Sequence, residues 1–229
     1  MTIRAILFDI DGTLIKCFGA GKRSLITACE EVFGTVGMME GVDFQGKTDP
    51  LILLESLRGM GYGEEEINRN LETLKRRYFH HLEINIQDGA SVMLPGVLPL
   101  LERLSLEKGI LRGLLTGNFR ESARIKLDRF DLYRFFPFGV FGDDASLRND
   151  MPPIARRIIR DIFNIEMDYG DIVIIGDTIH DIECARAVGA VSVSVGTGWV
   201  GRETLISLEP DHYFDDLSDT DGILESILA

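Results

Sequence analysis

The amino-acid sequence predicts an α/β fold in which helices cover both faces of a doubly wound parallel sheet. Four short runs of apolar residues are nearly continuous, a pattern that is typical of parallel strands buried on both sides. Helical patterns separate the later runs, which favours a parallel sheet flanked by helices. The predicted strands are residues 3–8, 110–115, 171–175 and 191–195, with a weaker run at 138–142.

The helices of this core are predicted from the spacing of their apolar residues and from their ends. Ala123 and Leu127, for example, recur at the interval of one helical turn. The pair Pro152-Pro153 suits the first turn of a helix, and Gly109 suits the position after a helix end. These features predict helices at residues 96–107, 119–130 and 152–163.

The segment from residue 16 to residue 88 interrupts the alternation of strands and helices. It has three amphipathic helical patterns and no convincing strand, and it is too long for an ordinary connection. We therefore predict an α/β core at residues 1–15 and 89–229 and an inserted α-helical cap, or lid, at residues 16–88. The helical patterns of the cap lie at residues 20–33, 49–60 and 64–83.

Composition and charge limit the kinds of molecule that the protein is expected to bind. The chain of 229 residues carries 24 Lys and Arg against 37 Asp and Glu, and this net charge of −13 disfavours nucleic acid and anionic membranes. It has no apolar run near the ~20 residues that span a bilayer, and its first residues do not show the basic segment and apolar region that we would expect of a signal peptide. Its three cysteines show no paired spacing. We expect a cytoplasmic protein, either a monomer or a homodimer.

The first predicted strand ends in two carboxylates, Asp9 and Asp11, which are followed by Gly12. Residues two apart on a strand point the same way, so both side chains can enter one small space. Two like charges this close are costly unless a cation or a shared proton compensates them. The pair therefore predicts a divalent-metal site, or acid–base chemistry beside a nucleophile.

Polar groups follow the later strands as well. The segment after residues 110–115 offers a hydroxyl and backbone N–H groups that can hold an anion. The segment after residues 171–175 offers two more carboxylates, and an arginine ahead of the proline pair can face a phosphate. Each segment alone is explained as a turn or a helix cap, but together they predict one site for a phosphate and a divalent ion. These residues are Thr116, Gly117, Asn118, Arg148, Asp177 and Asp181.

At these positions the sequence resembles the haloacid dehalogenase-like hydrolases, and among them the phosphatases similar to phosphoglycolate phosphatase. The segment 9–13 matches the first signature of the family, Thr116 the second, and the segment 176–181 the fourth. The resemblance covers nearly the whole chain, including a closing strand at 211–217. It implies a Rossmann-like core with a cap, and Mg²⁺-dependent hydrolysis of a small phosphorylated metabolite.

The resemblance also implies roles for the carboxylates. Asp9 would attack phosphorus and form an aspartyl-phosphate, and Asp11 would protonate the leaving alcohol and then activate water. Asp9, the Asp11 backbone carbonyl and Asp177 would hold Mg²⁺. Asp181 belongs to the same metal site, where it would orient water at the metal or the cation of the third signature.

The third signature is where this sequence departs from the family, which usually has a lysine there. Arg148 is the cation in reach, and it could bridge a carboxylate and a phosphate. By resemblance, Thr116 and the N–H groups of Gly117 and Asn118 would hold the phosphoryl oxygens. Arg148 is thus expected to complete a catalytic set with Asp9, Asp11 and Thr116.

Within the predicted cap, the segment 44–49 resembles the loop with which the family contacts the leaving group. Lys47, with Thr48 beside it, could bind a carboxylate or a second anionic group of the substrate. The segment also has a structural explanation, in which Lys47 is exposed and Thr48 or Asp49 caps the next helix. Both explanations can hold at once.

Other functions stay open at this stage. Lys47 could form a Schiff base in C–P cleavage of the phosphonoacetaldehyde hydrolase type. A β-phosphoglucomutase-like transfer is disfavoured, because its histidine would fall near Gly21, and the second aspartate disfavours a dehalogenase. The unusual third signature leaves room for a non-catalytic binding or regulatory protein. The glycines at 196–201 match a dinucleotide-binding pattern only weakly.

Overall fold

A six-stranded parallel sheet forms the centre of the protein. The computed structural model describes residues 4–39, 41, 44–87 and 91–228. The strands of the sheet are β1 (Arg4–Phe8), β4 (Ile110–Leu115), β5 (Phe138–Val140), β6 (Ile172–Gly176), β7 (Val191–Val195) and β8 (His212–Phe214). Their order is β5-β4-β1-β6-β7-β8, and all neighbours are parallel. A separate antiparallel pair joins β2 (Ile15–Lys16) to β3 (Val92–Met93).

Helices connect most of these strands. Among the described helices, none combines the length and the apolar character that crossing a membrane requires. The helices are α1 (Ala20–Phe33), α2 (Asp49–Arg58), α3 (Glu64–Asn85), α4 (Val97–Leu106), α5 (Arg120–Asp128), α6 (Met151–Phe163), α7 (Ile179–Val188), α8 (Arg202–Ser207) and α9 (Thr220–Leu228).

The strands fill two apolar cores, one on each face of the sheet. In β1, Ile6 and Phe8 belong to one cluster of buried side chains, and Ala5 and Leu7 belong to the other. Side chains alternate in this way along any strand. Helices α4, α5 and α9 contribute to the first cluster, and α6 and α7 contribute to the second. Burial on both faces explains the continuous apolar runs and confirms the predicted α/β fold.

The predicted core strands and helices are confirmed, with ends that differ by at most two residues, except that the closing strand expected at 211–217 is shorter and spans His212–Phe214. Residue 3, at the start of the first predicted strand, and the predicted boundary at 88–89 lie outside the described residues. The expectation that the segment 16–88 holds no strand is wrong at its first residue, because Lys16 pairs with Val92. A strand of two residues is too short to leave a periodic pattern in the sequence.

Helices α1, α2 and α3 follow one another between β2 and β3, so the β2–β3 pair joins the two ends of the inserted segment. Helices α1 and α3 pack on each other, and the Asn85 amide donates to the Ser24 hydroxyl at 2.9 Å. The Tyr62 hydroxyl, between α2 and α3, donates to the Phe33 carbonyl at 2.8 Å. These contacts support our proposal that residues 16–88 form a cap.

The start of α2 lies directly on the core, at the loop that follows β4. The Asp49 N–H donates to the Gly117 carbonyl at 2.8 Å. The Asp49 carboxylate accepts from the Phe119 N–H at 2.9 Å and from the Ser122 hydroxyl at 3.3 Å. Burial raises the pKa of Asp49 to about 6, an effect that Lys126 and the Phe119 N–H only partly offset. A largely buried carboxyl group therefore fastens the inserted helices to the core.

Replacing Asp49 should change how stability depends on pH. The pKa of Asp49 is higher in the folded protein than its ordinary value of 3.8. Its deprotonation therefore lowers the free energy of unfolding of the protein as pH rises between the two values. Asp49→Asn keeps an oxygen for the Phe119 N–H and has no carboxyl proton to lose as pH rises. We expect its free energy of unfolding in urea, relative to wild type, to increase by roughly 2 to 3 kcal/mol between about pH 4 and pH 7.

The control is Asp161→Asn, which replaces an exposed aspartate of α6. Its free energy of unfolding relative to wild type should not vary with pH in this way. The same flat difference for Asp49→Asn would contradict the prediction.

Candidate active site

The candidate active site lies at the carboxyl edge of the sheet, where three adjacent strands end. Because the order there is β4-β1-β6, the residues that follow these strands become neighbours. Asp9 and Asp11 follow β1, Thr116 follows β4 and Asp177 follows β6. The structure thus brings together predicted residues that lie far apart in the sequence.

Asp9 is at the centre of the site, with 5% of its surface exposed. Its N–H donates to the Ile175 carbonyl at 2.9 Å, which extends the pairing of β1 with β6. Burial raises the pKa of the Asp9 carboxyl to about 6. The Arg148 guanidinium, 3.3 Å from Oδ1, opposes this rise, and the carboxylates of Asp181 and Asp11 add to it. Asp9 is therefore a buried carboxylate whose burial and acidic neighbours Arg148 only partly offsets.

Asp177 and Asp181 complete a group of three buried carboxylates. Oxygen atoms of Asp9, Asp177 and Asp181 lie within 4.8 Å of one another. Burial raises the pKa of Asp177 well above its ordinary value, and the nearby Asp9 also raises it. Mg²⁺ and similar hard cations prefer carboxylate and other oxygen ligands. The donor set therefore fits a divalent ion.

Two glycines make room for Asp177 beside Asp9. A Cβ added at Gly12 or at Gly198 would overlap the Asp177 carboxylate. The Thr13 hydroxyl donates to Asp177 Oδ1 at 2.9 Å. Asp177 is thus confined to one position, as a metal ligand needs to be.

Arg148, the cation that the sequence offers at the third signature, faces two of these carboxylates. It is 6% exposed, its guanidinium contacts Asp9 and Asp181, and it donates to the Leu115 carbonyl at 3.2 Å. The second oxygen of Asp181 accepts from the Thr178 N–H at 3.0 Å and its hydroxyl at 2.7 Å, in the capping box of α7. Because both Asp181 oxygens accept from protein donors, Asp181 is placed to hold Arg148.

A second set of hydrogen bonds surrounds Asp11. The Asn118 amide donates to Asp11 Oδ2 at 2.9 Å and to the Thr116 hydroxyl at 2.8 Å. Lys126 donates to the same Asp11 oxygen and to Asn118 Oδ1, both at 2.6 Å. Burial works against the charge on Lys126, but the acidic groups around it, Asp11 foremost, raise its pKa above the ordinary value. Lys126 therefore contacts two predicted residues of the site, Asp11 and Asn118, and is connected to Thr116 through the Asn118 amide.

Lys126 is a member of this site that the strand-end pattern does not predict, because it lies within α5. It is 4% exposed and shares a helix face with the buried Ala123 and Leu127. Lysine is almost never fully buried unless it is paired. A lysine at a core-facing position of a predicted helix is thus the signal in the sequence that identifies it.

The predicted substrate contacts in the inserted segment occupy different environments. Lys47 borders the cavity of the site, and its ammonium pairs with Glu55 at 2.6 Å. Thr48 is 1% exposed and caps α2. Its hydroxyl accepts from the Leu51 N–H at 3.3 Å and donates to the Ser146 carbonyl at 2.7 Å. Lys47 therefore meets the cavity, whereas Thr48 joins the start of α2 to the core.

A cavity of about 340 Å³ connects these groups. The carboxylates of Asp9, Asp11 and Asp177 lie on one side, next to the loop 116–118. Gly117 belongs to this loop, and the Lys47 carbonyl lies so close that a Cβ would overlap it. The apolar part of the lining consists of Phe18, Leu25, Phe44, Ile52, Tyr78 and Trp199. Because Lys47 and Arg148 also border the cavity, a small organic ligand with an anionic group suits such a lining.

Two curated relatives match along almost the whole chain. A phosphoglycolate phosphatase from Agrobacterium fabrum is 25% identical over 230 residues, which cover 97% of this chain and 93% of that protein. The pyrophosphatase PpaX from Anoxybacillus flavithermus is 26% identical over 226 residues, which cover 98% of each.

A solved structure shows the same fold, and a family model gives the family. The crystal structure of a predicted phosphoglycolate phosphatase from Haemophilus somnus has a TM-score of 0.71 at 20% identity, covering 97% of this chain and 98% of that one. Residues 6–195 match the model of the haloacid dehalogenase-like hydrolases. That match spans most of the chain and includes the ends of β1, β4 and β6, so the chain belongs to the haloacid dehalogenase-like hydrolase family.

Proposed function

We propose that the protein is a Mg²⁺-dependent phosphatase that hydrolyses a phosphomonoester of a small metabolite through an aspartyl-phosphate. The observation that carries this proposal is the position of Asp9, a buried carboxylate beside Arg148 and Asp177 that borders a cavity. Phosphoryl transfer to a carboxylate needs a nucleophile, a cation and metal-binding oxygens in one place. The family and the names of the two curated relatives support the same class of reaction.

The reaction has two steps. In the first, a carboxylate oxygen of Asp9 attacks phosphorus, and the bond from phosphorus to the alcohol oxygen breaks. The alcohol oxygen keeps the electron pair of that bond and takes a proton from Asp11. In the second, Asp11 takes a proton from water, whose oxygen attacks phosphorus and releases Asp9. Two such displacements are easier than one, and a positioned acid and base typically contributes ~10²–10⁴-fold.

The phosphoryl oxygens would meet donors that are in position before the substrate arrives. The Thr116 hydroxyl and the N–H groups of Gly117 and Asn118 lie on the β4 side. The Asn118 amide already holds the Thr116 side chain, and Asp181 already holds Arg148 on the other side. Donors fixed in advance stabilise a transition state without the cost of reorganisation.

Asp9, Asp177 and the Asp11 backbone carbonyl would hold Mg²⁺, with Asp181 acting through Arg148. The bound ion would offset the negative charge that Asp9 and the phosphate bring together. The raised pKa values of Asp9 and Asp177 fit this need, because a neighbouring dication favours the ionised form of both groups.

Phosphoglycolate is the first substrate to test. A cavity of about 340 Å³ suits a small metabolite, and Lys47 lies at its border, where a carboxylate of the substrate could reach it. The ion pair of Lys47 with Glu55 weighs against C–P cleavage, since a Schiff base requires a free amine.

Hydrolysis should depend on both Mg²⁺ and Asp9. We expect wild type to release phosphate from at least one member of a panel headed by phosphoglycolate and including pyrophosphate. EDTA should abolish this release. Asp9→Asn should lower kcat by about 10⁴-fold or more, because an amide is not a nucleophile here.

Asp161→Asn, on the exposed face of α6, is the control and should keep full activity. Undiminished hydrolysis by Asp9→Asn, or hydrolysis that persists in EDTA, would exclude this mechanism. A wild type that is inert across the panel would favour a binding or regulatory protein.

Substitution of Gly198 should weaken Mg²⁺ binding by displacing Asp177. A Cβ at Gly198 has no space beside the Asp177 carboxylate, whereas a Cβ at Gly201 meets no atom within 4 Å. We expect the Kd for Mg²⁺, measured by calorimetry, to rise about 10-fold or more in Gly198→Ala. It should be unchanged in Gly201→Ala. Equal Kd values in wild type and both variants would argue that Asp177 does not bind the ion.

A further inference from the structure

Lys126 is a buried cation in contact with the side chain to which we assign proton transfer. It reaches from α5 to the loop after β1, where its Nζ lies 2.6 Å from Asp11 Oδ2. Only 4% of Lys126 is exposed. The reaction outlined above gives Lys126 no part, so its burial beside Asp11 calls for a physical reason.

Lys126 acts on the Asp11 side chain in two ways. It donates to Asp11 Oδ2 directly, and it donates to Asn118 Oδ1 at 2.6 Å. An ammonium group can only donate, so the second bond fixes which end of the Asn118 amide is the oxygen. The amide nitrogen is therefore turned toward Asp11 and Thr116, at 2.9 and 2.8 Å. Lys126 orients Asp11 once by itself and once through Asn118.

The surroundings of Lys126 restrict its position. Helix α1 passes close to it, and a Cβ added at Gly21 would lie 3.5 Å from Lys126 Nζ and 3.7 Å from the Tyr78 hydroxyl. An unconstrained lysine side chain has many rotamers. Here the ammonium is enclosed between residues of the inserted helices and Asn118 of the core. Its position is therefore restricted, and it can hold the Asp11 carboxylate in place.

The Asp11 side chain needs contacts that hold it in place, because Asp11 lies beyond the end of β1. The next residue, Gly12, has a φ of 93° and turns the chain away from the sheet, and the Asp11 side chain is 32% exposed. Lys126 and Asn118 both donate to Oδ2, which leaves Oδ1 outside this pair of bonds. A carboxylate that is held through one oxygen presents the other in a constant direction to the cavity that Asp11 borders.

We propose that Lys126 is a positioning residue for Asp11: with Asn118, its ammonium holds the Asp11 carboxyl group where it can pass a proton to the leaving alcohol. This inference rests on the proposed function, because it takes Asp11 as the acid. Lys126 does not itself exchange a proton with the substrate. A misplacement of about 1 Å in a reacting geometry costs on the order of 10²-fold in rate.

The test compares two kinds of leaving group. An alkyl alcohol needs a proton as it departs, whereas p-nitrophenolate departs without one. We expect Lys126→Met to lower kcat/KM about 10- to 100-fold for the alkyl phosphate that wild type hydrolyses best, and less than about 3-fold for p-nitrophenyl phosphate. Asp11→Asn should show the same selectivity more strongly. Arg124→Met removes an exposed cation from the same helix and should change neither value.

An equal loss of kcat/KM for both esters in Lys126→Met, or no loss, would overturn the inference. If this variant does not fold, Asp11→Asn/Lys126→Met leaves no Asp11 charge unpaired and decides the question. If Lys126 acts through Asp11, the double variant should hydrolyse the alkyl phosphate as fast as Asp11→Asn alone. A further loss of this activity in the double variant would contradict the inference. An Asp11→Asn variant without selectivity between the esters would refute the proposed acid role of Asp11 instead.

Discussion

Three carboxylates are buried together at one edge of the sheet, and the arrangement of the residues around them depends on this burial. Like charges in a poorly solvated space repel one another, and the groups that face them must supply positive charge. Arg148 supplies one such charge to Asp9 and Asp181. Burial, and after it the neighbouring carboxylates, nevertheless raise the pKa values of Asp9 and Asp177, so Arg148 alone does not compensate these groups. A divalent cation would correct this imbalance, which is the physical reason for placing Mg²⁺ here.

A second contact between a carboxylate and a cation, Asp11 with Lys126, lies where the inserted helices meet the core. Lys126 is enclosed partly by α1, and Asp49 at the start of α2 accepts hydrogen bonds from the chain that follows β4. The residues that enclose the cavity are thus in contact with those that we assign to proton transfer. Any movement of the inserted helices would therefore alter the surroundings of Asp11.

The features that the sequence predicts well are those that depend on local pattern. A continuous apolar run indicates a strand that is buried on both faces. Residues that follow neighbouring parallel strands lie close together, however many residues separate them in the sequence. For this reason Asp9, Thr116 and Asp177 are brought together as expected. The pairing of Lys16 in β2 and the burial of Lys126 depend on packing between distant segments. Neither is therefore predicted from the strand ends, although the core-facing position of Lys126 on α5 is a signal in the helical pattern.

The central claim, that Asp9 carries the phosphoryl group, is tested most directly by trapping that group. In Asp11→Asn the aspartyl-phosphate should be hydrolysed slowly, because water lacks its base. After brief incubation with Mg²⁺ and p-nitrophenyl phosphate, whose leaving group departs without a proton, acid quenching and borohydride reduction should convert the phosphorylated aspartate to homoserine. The account predicts homoserine at position 9 alone in peptide mass spectrometry. Phosphate turnover with residue 9 unmodified, or homoserine at Asp177 instead, would contradict it.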